Sequence, residues 1–142
     1  MRDVDEQMLE HFKDKLPGRI YDRCSYVIEE NKRVQKAAKA IKNSDLKEFG
    51  KLMYASHEGL QHKYEVSCPE LDFLVDLARD KDFIHGARMM GGGFGGCTIN
   101  IIEADKIDNF IQEADKTYFN EFGLHPEPII VEADAGTIIH KN

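Results

Sequence analysis

Gly86-Ala87-Arg88-Met89-Met90-Gly91-Gly92-Gly93-Phe94-Gly95-Gly96-Cys97-Thr98-Ile99-Asn100-Ile101-Ile102 is the stretch on which the fold turns. Six of the chain's 11 glycines lie between Gly86 and Gly96, five of them within the run Gly91–Gly96. The flanks are of another kind. Cys97 to Ile102 is partly alternating and rich in β-branched side chains, which predicts a strand. Gly86 to Met90 predicts a short strand ahead of the glycines. Taken alone, the stretch reads as a flexible or bulged β-hairpin. Glycine adopts positive φ without steric cost and lets the backbone approach a ligand or another segment closely. Successive exposed N–H groups in such a turn form an anion nest. Phe94 interrupts the run and is placed to wedge the loop against a neighbour.

Gly91, Gly93 and Gly96 satisfy G-x-G-x-x-G in letter only. The dinucleotide fingerprint needs a helix N-terminus after the loop, and here a strand begins at Cys97. No G-K-[ST] follows, so a Walker-type phosphate loop is excluded.

Upstream of this stretch the sequence is helical. Ile20, Cys24, Val27, Ile28, Val34, Ala38 and Ile41 recur at three- and four-residue steps after Pro17-Gly18, predicting one long amphipathic helix. Lys32, Arg33, Lys36, Lys39 and Lys42 decorate its second half as a solvated exterior, where cations suit the helix dipole. Asn43-Ser44-Asp45 breaks it and caps a second helix carrying Leu46, Phe49, Leu52, Met53, Ser56 and Leu60, with Glu48 completing a capping box. Ser67-Cys68-Pro69-Glu70 fits another capping box, opening a third helix through Leu71, Leu74, Val75 and Ala78.

Downstream, Ile107, Phe110, Ile111, Ala114 and Tyr118 define a helix closed by Gly123. Pro128 to Ala133 and Thr137 to His140 read as two further strands joined at Asp134-Ala135-Gly136. Three helices followed by β-loop-β-α-β-β indicate a single α+β domain over residues 1–142, an antiparallel sheet covered by helices.

Composition sets the outer limits. The 142 residues carry 19 basic against 26 acidic side chains, a formal net charge of −7, which argues against a sequence-independent grip on nucleic acid. No run approaches a membrane span and the N-terminus lacks a signal-peptide pattern, so no membrane partner is expected. The three cysteines (Cys24, Cys68 and Cys97) are widely spaced without a C-x-x-C pair, as expected of reduced thiols in a cytoplasmic protein. Cys68 stands by a helix N-terminus, a place that lowers a thiol pKa, although packing is its plainer role. His57 and His62 are five apart, off the i,i+4 spacing of a helical zinc site. His11, His85, His125 and His140 stand alone, and a surface or satisfied structural role suits each. No paired carboxylates, nucleophile–base arrangement or metal-ligand cluster is marked out, so no self-sufficient active site is expected and no metal site is assigned.

Three segments together carry a resemblance. Ser56-His57-Glu58-Gly59-Leu60, then Tyr64-Glu65-Val66-Ser67-Cys68-Pro69-Glu70-Leu71-Asp72, then Gly86 to Cys97 resemble the C-terminal domain of the galactokinase family, within the GHMP small-molecule kinase superfamily. The likeness runs in register from about Gly18 to the end. The glycine segment is similar to the superfamily's third motif, and the Tyr64–Asp72 stretch is the more specific signal. Met90 departs from the pattern, where galactokinases usually have Thr.

The resemblance implies a ferredoxin-like domain and ATP-dependent phosphorylation of a sugar's anomeric hydroxyl, galactose and ATP giving galactose 1-phosphate and ADP. It implies Mg²⁺ and ATP for the parent enzyme, with none held tightly by this chain alone. It places the catalytic aspartate, the basic residue and the ATP loop in an N-terminal kinase domain that this chain does not contain, so the isolated chain is expected to be inactive. By the same likeness Gly91, Gly92, Gly93, Phe94, Gly95 and Gly96 line the cleft between domains and brace the nucleotide-phosphate loop through backbone N–H groups. Phe94 and Arg88 shape the site, and Ser67 holds the neighbouring helix start. A purely structural salt bridge is an equal reading for Arg88. Phe94, Met89 and Met90 are expected to be exposed at the surface facing that domain and to promote self-association. Two other readings stand beside this one: a stand-alone binding or oligomerisation module, and part of a related sugar 1-kinase such as an N-acetylgalactosamine kinase.

Overall fold

Asp5 starts a short helix that periodicity does not announce. Its carboxylate accepts the Met8 N–H at 2.8 Å and opens α1 (Glu6–His11). The computed structural model describes residues 3–132. After Pro17 the chain enters α2 (Gly18–Lys42), as the apolar spacing predicts. The face that α2 buries is led by Tyr26, Ile28 and Ala40, whereas Val34 and Ile41 of the predicted stripe are exposed. Period fixes which residues share a face; the packing partners decide which part of that face is covered.

Asn43 ends α2, Ser44 turns the chain at φ 56°, and Asp45 caps α3 (Leu46–Gly59) by accepting the Glu48 N–H at 3.0 Å. The helix continues into one π-helical turn, Leu60–Tyr64, which ends at Glu65 with φ 58°. The Glu65 carboxylate lies 3.1 Å from Arg19 and 3.3 Å from Arg23, tying this sharp turn to α2.

Next comes α4 (Pro69–Arg79), with Pro69 in its first turn, where the missing N–H costs little. The predicted capping box does not form. Cys68 is the N-cap and makes no side-chain cap bond, because Pro69 opens the helix one residue later than a Ser67 cap requires. Ser67 donates its hydroxyl to Asp72 instead.

The glycine-rich stretch forms the predicted hairpin. β1 (Ile84–Met90) pairs antiparallel with β2 (Cys97–Ile102), in a register that sets Arg88 opposite Ile99 and Met90 opposite Cys97, with an irregularity between Ile84 and Gly86. α5 (Ile107–Phe122) follows and is closed by Gly123 at φ 69°, whose N–H reaches the Phe119 carbonyl at 2.8 Å. The α+β reading, an antiparallel sheet with helices packed on it, is the architecture found. Of the predicted strand Pro128–Ala133, residues 128–132 are irregular, and Ile129 is 80% exposed. A β-branched run becomes a strand only where another edge supplies hydrogen bonds, and among the described residues it has none. Ala133, the turn Asp134-Ala135-Gly136 and the strand Thr137–His140 lie outside the described residues. No helix among the described residues is long and apolar enough to cross a membrane.

Two clusters form the core. Val75, Ala78, Ile84, Ala87, Phe110 and Ala114 join α4, β1 and α5, while Tyr26, Leu60, Leu71 and Met89 join α2, the π turn, α4 and the end of β1. α3 lies against β1 at backbone distance. A Cβ on Gly50 would stand 1.5 Å from the His85 carbonyl oxygen, and one on Gly86 would stand 2.5 Å from Gly50 Cα. Gly50→Ala should therefore destabilise the fold by about 1–3 kcal/mol through overpacking. At an open helix position the same change adds up to about 1 kcal/mol through propensity, so the sign of the shift in urea midpoint checks the contact.

Candidate functional site

The glycine loop is held, not loose. Gly91, Gly93, Gly95 and Gly96 take φ of 86°, 85°, 129° and 96°, and Phe94 between them takes 58°. A bulky residue at positive φ is costly and persists only where its surroundings impose it. Here the imposing contact is Val66: the Phe94 N–H donates to its carbonyl at 2.8 Å. Gly93 packs so closely there that a Cβ would stand 2.0 Å from the same oxygen. With its backbone pinned, the Phe94 ring projects outward, 77% exposed.

The start of the loop has a second anchor. Met89 turns its N–H away from β2 and donates to His57 Nδ1 at 3.2 Å. His57 is 2% exposed, and its Nε2 lies 3.2 Å from Asp72 Oδ1. Asp72 also accepts the Ser67 hydroxyl on Oδ1 and the Gln61 amide on Oδ2, the latter at 2.8 Å. The pattern fixes the imidazole as neutral, with the proton on Nε2, because a proton on Nδ1 would confront the Met89 N–H. Burial lowers the His57 pKa below its usual value, against the pull of Asp72 and Asp76 and with the help of Arg79.

The residues singled out from the sequence divide between two places. Gly91 to Gly96 and Ser67 meet at this clasp, the loop through Val66 and Ser67 as that residue's chain neighbour. Arg88 does not join them: its Nε donates to the Met89 carbonyl at 3.0 Å and its Nη1 lies 3.5 Å from Glu30 of α2. Glu30 also receives the buried Ser56 hydroxyl at 2.7 Å and pairs with Arg33, beside a groove of about 200 Å³ lined by Phe49, Leu52, Met53 and Ile101. Met89 corrects the expected exposed surface: it is 0% exposed, packed on Tyr26, Leu60 and Leu71, while its neighbour Met90 is exposed. Alternation along a strand sends successive side chains to opposite faces. Burial raises the Cys68 thiol above its ordinary pKa, correcting the lowering expected at a helix N-terminus and leaving it a packing residue.

Sequence reading passed over Asp72, Gln61 and the part His57 plays. One signal was present: His57 stands between Met53 and Leu60 in the apolar stripe of α3, a polar residue where the period calls for core. Among the described residues no group of three His, Cys, Asp or Glu side chains comes together to hold a metal ion.

The neutral, buried His57 carries a pH signature. Its folded pKa is depressed, so the unfolded chain binds the extra proton first, and the stability due to neutral His57 is lost as pH falls below about 6.5. Urea unfolding from about pH 7.5 down to about pH 5.5 should show a falling stability whose slope is shallower in His57→Gln. Equal slopes in the two proteins would exclude the assignment.

The family model described as GHMP kinases C terminal matches residues 37–120. Galactokinase of Clostridium beijerinckii is 44% identical over 115 residues, which are 81% of this chain and 30% of that protein. Galactokinase of Thermosipho africanus is 42% identical over 109 residues, 77% of this chain and 31% of the relative. Bos taurus galactokinase is 36% identical over 140 residues, 99% of this chain and 35% of its own length. The chain thus spans about a third of the length of the curated relatives it matches. Among solved structures, Lactococcus lactis galactokinase complexed with galactose superposes with a TM-score of 0.81 at 31% identity, covering 87% of this chain and 32% of that one. L. major mevalonate kinase in complex with R-mevalonate gives a TM-score of 0.55 at 27% identity, covering 77% and 32%. With the family model matched from α2 through α5, across the hairpin and its clasp, the chain belongs to the GHMP kinases C terminal family.

Proposed function

We propose that this chain is the C-terminal part of an ATP-dependent galactokinase, which converts galactose and ATP to galactose 1-phosphate and ADP. The observation that carries this reading is the glycine loop, a run of positive-φ backbone pinned against Val66. Phosphoryl transfer asks the protein for positioning and for stabilisation of charge on the transferred group. Backbone N–H groups of a rigid turn supply both without a charged side chain. Gly91 to Gly96 then brace the phosphate-holding segment of a kinase domain N-terminal to this one, with Phe94 and Met90 as apolar contacts on that side. Ser67 supports the loop through Asp72, whereas Arg88 stands behind it, bonded to the Met89 carbonyl and facing Glu30 of α2. The described residues offer Mg²⁺ no carboxylate set, so no step is assigned to them through the metal.

Alone, the chain is expected to form no galactose 1-phosphate from galactose and Mg-ATP. Product that scales with purified chain and disappears with EDTA would overturn that. A chimera in which this chain from Gly18 onward replaces the matching third of Clostridium beijerinckii galactokinase is expected to phosphorylate galactose. Gly93→Val, which drives a side chain into the Val66 carbonyl, should lower its kcat/KM for ATP on the order of 100-fold. A folded chimera that ignores galactose, or one indifferent to the Gly93 change, would sink the reading.

A further inference from the structure

We propose that Asp72 is a positioning residue whose single carboxylate sets the spacing of the two backbone segments that clasp the glycine loop. One segment is the linker 65–68, which holds the loop's middle through the Val66 carbonyl and the Phe94 N–H at 2.8 Å. The other is the end of β1, held through the Met89 N–H and His57 Nδ1 at 3.2 Å. Neither clasp is fixed by regular structure alone. The linker belongs to no helix or strand, and its other backbone bonds lie at its two ends: the Glu65 and Val66 N–H groups reach the Leu60 carbonyl, the latter at 3.0 Å, and the Cys68 carbonyl accepts the Leu71 and Asp72 N–H groups of α4. Met89 donates outside the β1–β2 ladder to a side chain.

Asp72 is where the two meet. On one side it accepts the Ser67 hydroxyl, next in the chain to Val66; on the other it accepts His57 Nε2–H at 3.2 Å, whose far nitrogen receives Met89. Gln61, at 2.8 Å on the second oxygen, adds the π turn to the same carboxylate. Acceptor geometry, rather than charge, is what this arrangement needs. An Asn at position 72 keeps one oxygen for Ser67 and His57 and turns its amide to Gln61, whose own amide flips to accept. An Ala removes every acceptor and leaves the buried His57 N–H without a partner.

Loop placement bears on the reaction only through the phosphate-bracing role proposed above, so the loop is read first and directly. Amide hydrogen exchange on the full 142-residue chain, referenced to core amides such as Val75, is the measurement. Asp72→Ala is expected to speed exchange of both the Phe94 and Met89 amides about 10-fold relative to the core, and Asp72→Asn to restore them. Ser67→Ala is the milder variant should Asp72→Ala fail to fold, and it should loosen Phe94 while sparing Met89. Changes at Phe94 and Met89 that merely follow the core amides, or a Ser67→Ala effect equal at both, would overturn the clasp. In the chimera, Asp72→Ala should raise KM for ATP about 10-fold with KM for galactose unchanged, and Asp72→Asn should recover it. A loosened loop with an unaltered KM for ATP would instead overturn phosphate bracing, so the two failures are distinct.

Discussion

The contact between Gly50 and Gly86 places everything around the loop. With no side chain on either residue, α3 lies directly on the backbone of β1. From that point the two elements keep step. Seven residues of helix, from Gly50 to His57, advance about 10.5 Å, and three residues of strand, from Gly86 to Met89, advance about 10 Å. The imidazole therefore arrives opposite the Met89 N–H without any adjustment of either element. A longer side chain at position 50 would push α3 outward and break this register at its far end, where the loop begins.

Register of this kind explains why the loop can carry strain. A phenylalanine at φ 58° is an unfavourable backbone state, and a freely moving glycine loop would relax it. The Val66 carbonyl prevents that by accepting the Phe94 N–H, and Gly93 is the only residue type that fits beside it. Glycine thus serves two purposes in one run. At Gly93 it permits close approach; at Gly91 and Gly95 it permits positive φ in open space, and at Gly96 positive φ beside the Met90 carbonyl. The exposed ring of Phe94 is a consequence of the pinned backbone, since a side chain on the outer side of the clasp has nowhere inward to go.

Much of this was legible in the letters. Asp45 with Glu48, Pro69 and Gly123 mark the helix ends as found, because caps and breakers act locally and their chemistry is written in one or two residues. The β-branched run Cys97–Ile102 beside the glycines announced the hairpin in the same way, since it too is written in adjacent residues. The π turn at Leu60–Tyr64 was not legible, since it shifts the helical register without any breaker residue. Nor was α1, six residues too short to show a period. The site was read only in half. The glycines declare themselves by composition, but Asp72 looks like any first-turn acid of a helix and His57 like a stray polar residue. Their meaning lies in which residues three elements bring within hydrogen-bond reach, and no spacing along the chain records that.

The buried polar cluster needs a reason, because an apolar core of the same volume is commonly as stable. Here the reason is a backbone group. Met89 is fully buried and its N–H faces away from the β2 ladder, so an apolar residue at position 57 would leave a donor with no partner, at about 1–3 kcal/mol. Water cannot replace the imidazole without opening the packing of Tyr26, Leu60, Leu71 and Met89. An acceptor aimed at Met89 must itself be aimed, and a neutral imidazole is aimed by what its other nitrogen touches. The carboxylate of Asp72 is thus required two bonds away from the group it serves. Having been placed there, it also receives Ser67 and Gln61, and the linker that carries Val66 is drawn into the same network. The polar cluster follows from burying the last residue but one of a strand, just before a loop that must leave the core.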